Sequence, residues 1–271
     1  MYSYHDDISL LAGSKRRVEV LESLDGESRR QSEIADSCAA SRSTVNRIVG
    51  ELCAVGWVTD SSGIYSLSAG GRHVLEQYRS LSESVEIIGK YGSFLTALGD
   101  TANTFPIEAL ADSDLVEATP EGPHTAISYF LDVMENTSSE TLSGITPIVS
   151  PILDQPRSEL LEAGVSVEII VSDAVAGQLR SQESPIVSAA VSEQRFSLFA
   201  TSQRMEFGCT ILDDRVLIGA YDAAGNLTHC VNSTDDSVRQ WTIDQYEDYK
   251  TNSVDLPRRA ERPDVEFLEV G

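Results

Sequence analysis

One short segment, residues 41–56, constrains the fold of this chain more than any other. Ser41 is a residue type that commonly caps the start of a helix, and Gly56 is typical of the position just after a helix ends. Between them, apolar residues recur at i, i+3, i+4 and i+7, which places them on one helix face: Val45, Ile48, Val49 and Leu52. The pattern predicts a helix over residues 41–52 that packs this face against a core.

Two shorter helices are predicted ahead of this segment. Apolar residues at helical spacing follow Ser14, a plausible N-cap, and predict a first helix over residues 14–24. A second helix follows over residues 31–38, with Ile34 and Ala35 turned inward. The helix over 31–38 and the helix capped by Ser41 are short and are joined by a tight turn, an arrangement typical of a helix-turn-helix.

The residues after the third helix predict a β-hairpin. Residues 57–59 and 64–67 have strand character, and the four residues 60–63 between them end in Gly63, which is free to adopt a positive φ. A hairpin directly after the last helix is the wing of a winged helix-turn-helix. The sequence therefore predicts such a domain over residues 1–68.

The polar face of the third helix indicates DNA recognition. Arginine can bond guanine with two hydrogen bonds, asparagine can bond adenine, and serine can contact either base. The face holds no acidic residue before Glu51. The predicted base contacts are Arg42, Ser43, Asn46 and Arg47, and the predicted phosphate contacts are Thr44, Lys15, Arg16, Arg29 and Arg30. The alternative is an interaction adaptor, in which the winged helix contacts only protein.

A longer helix is predicted over residues 69–89. Its apolar residues are spaced 4, 3, 4, 3, which is the a/d spacing of a coiled-coil seam: Val74, Tyr78, Leu81, Val85 and Ile88. One interpretation is a dimerisation helix, in a linker over residues 69–90, that would set two recognition helices about 34 Å apart on DNA. The other is a single helix that packs on its own domain.

Charge is distributed unevenly along the chain, whose formal net charge is −23. Residues 1–90 hold 10 basic and 13 acidic residues, whereas residues 91–271 hold 10 basic and 30 acidic residues. The first part is nearly neutral and can approach DNA with one face. Only three basic residues are lysines, and a carboxylate-rich, lysine-poor composition is expected of a protein that works in concentrated salt.

The second part of the chain alternates between strand and helix patterns, then continues with four strands and a final helix. This order predicts a mixed-sheet α/β domain over residues 91–256, followed by a loose tail over 257–271. Ser233 or Thr234 would start the final helix. The predicted strands are 115–118, 142–146, 165–171, 196–200, 206–212, 216–221 and 227–232. The predicted helices are 125–134, 148–163 (broken by Pro151 and Pro156), 174–180, 185–193 and 236–249.

No catalytic constellation is visible in the sequence. It contains no P-loop and no GxSxG motif, and no GxGxxG follows a predicted strand. The four cysteines form no CxxC pair and the four histidines show no zinc-ligand spacing, so the cysteines are predicted to be small core residues. We therefore expect no enzyme, no metal and no cofactor.

Several stretches resemble winged-helix regulators of haloarchaea that carry a C-terminal effector domain related to those of TrmB-like and methanogenesis-regulator proteins. The resemblance rests on residues 8–21, 41–48 and 56–58, and less specifically on 213–220 and 235–241. It implies transcriptional control and a phospholipase-D-like sheet in the second domain. The hydrolases of that fold use a His-x-Lys motif, but here the residues two after each histidine are Asp7, Leu75, Ala126 and Val231. Arg30 stands where relatives would carry a capping Thr or Ser.

Together these features predict a sequence-specific DNA-binding transcription regulator. It would bind double-stranded promoter DNA as a homodimer. It would be cytoplasmic, because the chain has neither a stretch of about 20 apolar residues nor a signal-peptide pattern. The acidic α/β domain would sense a small-molecule effector or mediate partner contacts. An enzyme with an appended regulatory helical domain is a further alternative, but it lacks a visible nucleophile or metal cluster.

Overall fold

The computed structural model describes residues 4–148, 150–181, 186, 189 and 192–256. The chain divides into two compact units, Met1–Glu86 and Ile87–Gly271. The boundary falls inside one long helix, whose first part belongs to unit 1 and whose last part belongs to unit 2. The division predicted from the sequence, at residues 68, 90 and 256, stays a prediction.

Unit 1 is a winged helix-turn-helix. Its three-stranded antiparallel sheet has the order β1-β3-β2. The sequence predicted neither its first helix nor its two-residue first strand. The helices are α1 (Tyr4–Ala12), α2 (Lys15–Ser23), α3 (Gln31–Ser37), α4 (Arg42–Ala54) and the start of α5 (Ala69–Ala97), and the strands are β1 (Arg29–Arg30), β2 (Val58–Ser61) and β3 (Ile64–Leu67).

The apolar faces of α2, α3 and α4 meet in the core of unit 1. Val45, Ile48, Val49 and Leu52 of α4 are all buried there, and so are Ile34 and Ala35 of α3. The serine predicted to cap the first helix, Ser14, stands at the N-cap position but makes no capping hydrogen bond with its side chain. The burial of these α3 and α4 residues confirms the core that the apolar periodicity of the sequence predicted.

The wing turn is tighter than predicted. Only Ser62 and Gly63 separate β2 from β3, and both have positive φ values, 58° and 81°. A two-residue loop with two positive φ angles matches the twist of the flanking strands, which is why glycine is favoured here. The backbone N–H of Gly63 also donates to Asp60 Oδ1 at 2.8 Å, which fixes the turn.

Helix α5 runs eight residues beyond its predicted end at Gly89, because Tyr91, Phe94 and Leu98 near its C-terminal end are buried in a core of unit 2. The predicted seam is split along its length. Val74 and Tyr78 pack against the core of unit 1. The other three seam residues are largely solvent-exposed, Leu81 and Val85 at 60% and Ile88 at 50%.

Unit 2 is built on an eight-stranded mixed sheet with the order β11-β7-β6-β5-β8-β9-β10-β4. Strands β5, β6 and β7 are parallel, and all other neighbours are antiparallel. The strands are β4 (Asp114–Glu117), β5 (Thr141–Thr146), β6 (Ser166–Ser172), β7 (Phe196–Thr201), β8 (Phe207–Ile211), β9 (Val216–Tyr221), β10 (Leu227–Ser233) and β11 (Ser253–Asp255). The predicted mixed-sheet α/β class is confirmed, with β11 as an added strand.

Helices cover both faces of this sheet and enclose two apolar cores. One core contains the end of α5 together with α9, and the other contains α6 and α8. Alternate residues of a strand serve opposite cores, as Ile218 and Leu217 of β9 do. The helices are α6 (Thr125–Glu135), α7 (Asp154–Glu162), α8 (Asp173–Ser181) and α9 (Asp236–Thr251), with short 3-10 helices at Gly99–Thr104, Ile107–Leu110 and Pro151–Leu153.

Two details of the predicted helices in unit 2 are corrected by the structure, the first turn of one helix and the cap of another. The helix expected over 148–163, broken by prolines, is a 3-10 turn followed by α7, because proline lacks an N–H and is tolerated only in a first turn. Helix α9 is capped by Asp235 rather than Ser233 or Thr234, and Asp235 Oδ1 accepts from Ser237 N at 2.7 Å and Val238 N at 3.2 Å. Most of the predicted helix 185–193 and the tail 257–271 lie outside the described residues.

Candidate nucleic-acid interface

A tight turn between α3 and α4 sets the direction of α4. Ala39 adopts a positive φ of 45°, and the N–H of Ala40 returns to the carbonyl of Ala35 at 3.0 Å. Ser41 then caps α4, with its Oγ accepting from Thr44 N at 3.2 Å. The turn and the cap together satisfy backbone groups that would otherwise be left unpaired at the helix junction.

The N-terminal half of α4 exposes the four predicted base-reading side chains. Arg42, Ser43, Asn46 and Arg47 are all solvent-exposed, opposite the buried apolar face. The predicted phosphate contact Thr44 is half-buried, and its hydroxyl lies 2.8 Å from Ser41 Oγ. The structure thus places arginine, serine and asparagine together on one accessible helix face.

A side chain from the preceding helix, α3, holds the first turn of α4 in place. Gln31, the first residue of α3, donates from Nε2 to the backbone carbonyl of Arg42 at 2.8 Å. This bond ties the first turn of α4 to the start of α3. Gln31 is not among the residues predicted for the site, although a long amide at the first position of the preceding helix is suited to this contact.

Arg47 is held by an ion-pair network that sequence analysis missed. Its guanidinium pairs with Glu51 Oε1 at 2.5 Å, one turn further along α4. The other oxygen of Glu51 accepts from Arg17 Nε at 2.8 Å, and Arg17 also donates to the carbonyl of Leu10 at 2.9 Å. Partial burial raises the pKa of Glu51, but hydrogen bonds from the two arginines outweigh it and lower the pKa below its ordinary value of 4.5.

The predicted phosphate contacts outside α4 lie at the start of α2 and in β1. Lys15 and Arg30 are exposed. Arg16 pairs with Glu19 at 2.7 Å and also donates to the carbonyl of Cys38, and Arg29 pairs with Glu27. Because β1 pairs with β3, Arg29 and Arg30 lie beside the wing rather than in a loop.

Arg30 also forms the start of α3. It occupies the N-cap position where a Thr or Ser was expected, and its backbone N–H donates to Glu33 Oε2 at 2.6 Å. This is the returning half of a capping box, which needs no hydroxyl at the cap. The glutamate three residues later was the sequence signal for this start.

Two family models match the chain, one in each of its parts. Residues 123–252 match the middle domain of the methanogenesis regulatory protein FilR1, and residues 5–89 match the HVO_A0261 N-terminal domain. The resemblance to regulators with a methanogenesis-regulator-like second domain is therefore confirmed. No curated protein is significantly similar in sequence to the whole chain.

Three solved structures show a distant likeness to this chain. TrmBL2, an archaeal chromatin protein, is 14% identical with a TM-score of 0.41 over 93% of this chain and 99% of its own. Phosphatidylserine synthase of Haemophilus influenzae is 14% identical with a TM-score of 0.38 over 56% and 41%. BpsR of Bordetella bronchiseptica is 16% identical with a TM-score of 0.26 over 49% and 88%.

Two other kinds of site have no counterpart in the described part of the chain. No group of three or more His, Cys, Asp or Glu residues there is arranged to hold a metal ion. Among the same residues, no helix has both the length and the apolar character that a membrane span needs. Cys38, Cys209 and Cys230 are buried as predicted, and Cys53 is half-buried.

Proposed function

We propose that this chain is a sequence-specific, DNA-binding transcription regulator. The observation that carries the proposal is the exposed face of α4, where Arg42, Ser43, Asn46 and Arg47 are accessible and the nearest carboxylate, Glu51, is occupied by two arginines. The N-terminal turns of a recognition helix are the ones that reach base edges in the major groove. The match of residues 123–252 to the middle domain of a methanogenesis regulatory protein supports the same function.

Base contacts carry most of the selectivity in this proposal. Arg42 and Arg47 would bond guanine, and Asn46 would bond adenine. Lys15, Arg16, Arg29, Arg30 and Thr44 would contact phosphates and set the orientation of the domain. The wing contributes little, because residues 57–67 contain Asp60 and neither Lys nor Arg.

Genomic mapping with a matched pair of variants tests the site. The chain is cross-linked to DNA in cells and bound regions are sequenced, and a recovered site is then used for footprinting. We expect Arg42→Ala with Arg47→Ala to abolish the footprint without unfolding the protein. Arg79→Ala with Arg204→Ala removes the same charge outside α4 and should leave the footprint intact.

Two outcomes of that experiment would contradict the proposal. A footprint unchanged by the α4 variant would mean that α4 does not read the bases. An absence of enriched genomic sites for the wild type would favour the interaction adaptor, in which the winged helix binds protein only.

We further propose that two copies of the chain pair through α5. Leu81, Val85 and Ile88 repeat at heptad spacing and are at least half exposed, a pattern typical of a helix that pairs with a second copy of itself. Such a pair would place two α4 helices on half-sites about one DNA turn apart. We expect Leu81→Asn with Val85→Asn to sediment as a monomer, and a wild type that is already monomeric would contradict this.

A further inference from the structure

Unit 2 contains a cavity of about 550 Å³ on the face of the sheet covered by α6. This volume lies within the range of small-molecule binding sites. Strands β5, β6, β8, β9 and β10 form its floor, and α6 together with the described lining residues between Ile148 and Leu160 forms much of its wall. Most of the lining is hydrocarbon, as shown by Ile127, Phe130, Met134, Leu142, Ile169 and Leu227.

A tyrosine lies across the floor of this cavity. Gly208 of β8 and Gly219 of β9 are directly paired across the two strands. A Cβ on Gly208 would lie 2.9 Å from the Tyr221 hydroxyl, and one on Gly219 would lie 2.6 Å from Leu227 Cδ1 and 3.4 Å from the Tyr221 ring. The two glycines therefore leave the space that lets Tyr221 cross β8 towards β5.

The polar group at the floor is uncharged. The Tyr221 hydroxyl is hydrogen-bonded to the side chain of Thr146 in β5, and burial raises the pKa of Tyr221 above its ordinary value. Thr146 Oγ1 in turn lies 2.6 Å from the carbonyl oxygen of Ile148, to which it donates. Because the single hydroxyl proton of Thr146 goes to Ile148, the Tyr221 hydroxyl donates to Thr146 Oγ1, and its oxygen can accept one hydrogen bond from a bound molecule without exposing a charge.

The acid and the arginine in the lining already have partners. The carboxylate of Asp222 accepts from Ala224 N and from Asn226 N and Nδ2, at 2.8 to 2.9 Å, within its own turn. The guanidinium of Arg157 lies 5.7 Å from the centre of the Phe196 ring. Neither group provides a dedicated counter-charge on the floor, so a charged ligand would lose hydration there without compensation.

We propose that this cavity binds a neutral, largely hydrocarbon small molecule that carries one hydroxyl or N–H donor, with the Tyr221 oxygen as its polar anchor. The binding event depends only on unit 2. Its regulatory meaning, as the effector site of the protein, rests on the proposed DNA-binding function.

Two fluorescent probes of nearly the same shape test the proposal on the full chain in concentrated salt. N-phenyl-naphthylamine is neutral and has one N–H, and anilinonaphthalene sulfonate adds a negative charge to the same rings. We expect the neutral probe to bind saturably with one site per chain. The anionic probe should bind at least about tenfold more weakly, because its charge would be desolvated without a partner.

Three variants locate the probe. Tyr221→Phe removes the anchoring hydroxyl and should weaken the neutral probe about fivefold, the factor that one neutral hydrogen bond contributes. Ile127→Trp fills the cavity from α6 and should abolish binding. Tyr249→Phe is the matched control, because this tyrosine donates to the carbonyl of Arg204 and does not line the cavity. Thermal melting confirms that each variant is folded.

Each remaining outcome decides the proposal. Equal affinity for the two probes would overturn the assigned ligand class, and neutral-probe binding that survives both Tyr221→Phe and Ile127→Trp would overturn the assigned site. DNA binding is measured separately with and without the neutral probe. If the probe binds as expected but the chain binds no DNA site, the ligand site is supported and the proposed DNA-binding function is contradicted. If the chain binds DNA but takes up no probe, the DNA-binding function is supported and the ligand site is contradicted.

Discussion

Replacing Glu51 by Gln would separate the two tasks of the Arg17–Glu51–Arg47 network. Glutamine keeps the shape of the side chain and can still accept a hydrogen bond, but it removes the negative charge that both arginines contact. The substitution therefore weakens a support of the helix-turn-helix core and at the same time releases Arg47 from its partner. The two consequences should have opposite signs, which makes the variant informative.

The loss of stability follows from the two contacts. The Arg17 side chain is only 19% exposed, so its bond to Glu51 changes from a charge-assisted to a neutral one at a cost of about 1 kcal/mol. Arg47 is 60% exposed, so losing its i,i+4 pair costs a further ~0.3–0.5 kcal/mol. We expect the free energy of unfolding of unit 1 to fall by about 1.5 kcal/mol.

The gain in DNA binding follows from the same contact. In the wild type, Arg47 must break its pair with Glu51 before it can bond a base, and a carboxylate stays close to the phosphates. Removing both penalties should tighten DNA binding by about two- to fivefold, since each is worth a few tenths of a kcal/mol at a screened surface. Urea unfolding and fluorescence anisotropy on a recovered operator measure the two quantities on the same preparation.

The pH dependence of stability gives an independent check. The folded-state pKa of Glu51 is lowered, so its contribution is present above its unfolded pKa and is lost as the pH falls through the folded value. The stability difference between wild type and Glu51→Gln should therefore shrink as the pH is lowered from about 5 towards 3. Glu76→Gln, an exposed change on α5, is the charge-matched control. Weaker DNA binding by Glu51→Gln, or an unchanged stability, would refute this account of the network.

Three further substitutions test local features of the fold. Ala39→Gly should stabilise unit 1 by about 0.5–1 kcal/mol, because a positive φ costs alanine more than glycine loses in chain entropy; a destabilised variant in urea would contradict this. Asp235→Ala should cost unit 2 about 1 kcal/mol by removing two cap bonds, whereas Asp236→Ala should cost much less in the same melts. Gly208→Ala should destabilise unit 2 by about 1–3 kcal/mol, because its Cβ would overlap Tyr221, and crystallography should show a displaced ring.

Periodicity predicted the elements whose partners are close in sequence. Helices α2, α3 and α4 each have one apolar face. The β-branched run in β6 predicts a buried strand. The missed elements depend on distant partners. Strand β1 has two residues and exists because β3 pairs with it, and β11 exists because β7 offers a free edge. No local pattern could have revealed either.

The end of α5 shows a related limit. Gly89 and Gly92 lower the helix propensity of this stretch, and the predicted helix stopped at Gly89. Burial of Tyr91 and Phe94 in the core of unit 2 overrides that preference. In the candidate site, the exposed face of α4 followed from the sequence, but the partner of Arg47 could be inferred only as an i,i+4 possibility. That Arg17 shares this carboxylate needs the three-dimensional fold.

The Glu51 network also gives salt two opposing effects on DNA binding. Counterion release weakens phosphate contacts as salt rises, with a slope of about −0.9 per contact in a double-logarithmic plot. The same salt screens exposed ion pairs, so it loosens the hold of Glu51 on Arg47. The two effects partly cancel in the wild type, whereas Glu51→Gln retains only the first. Its salt slope should therefore be steeper than that of the wild type, and the affinities of the two proteins should converge in concentrated salt. Parallel slopes would show that Glu51 does not restrain Arg47 in solution.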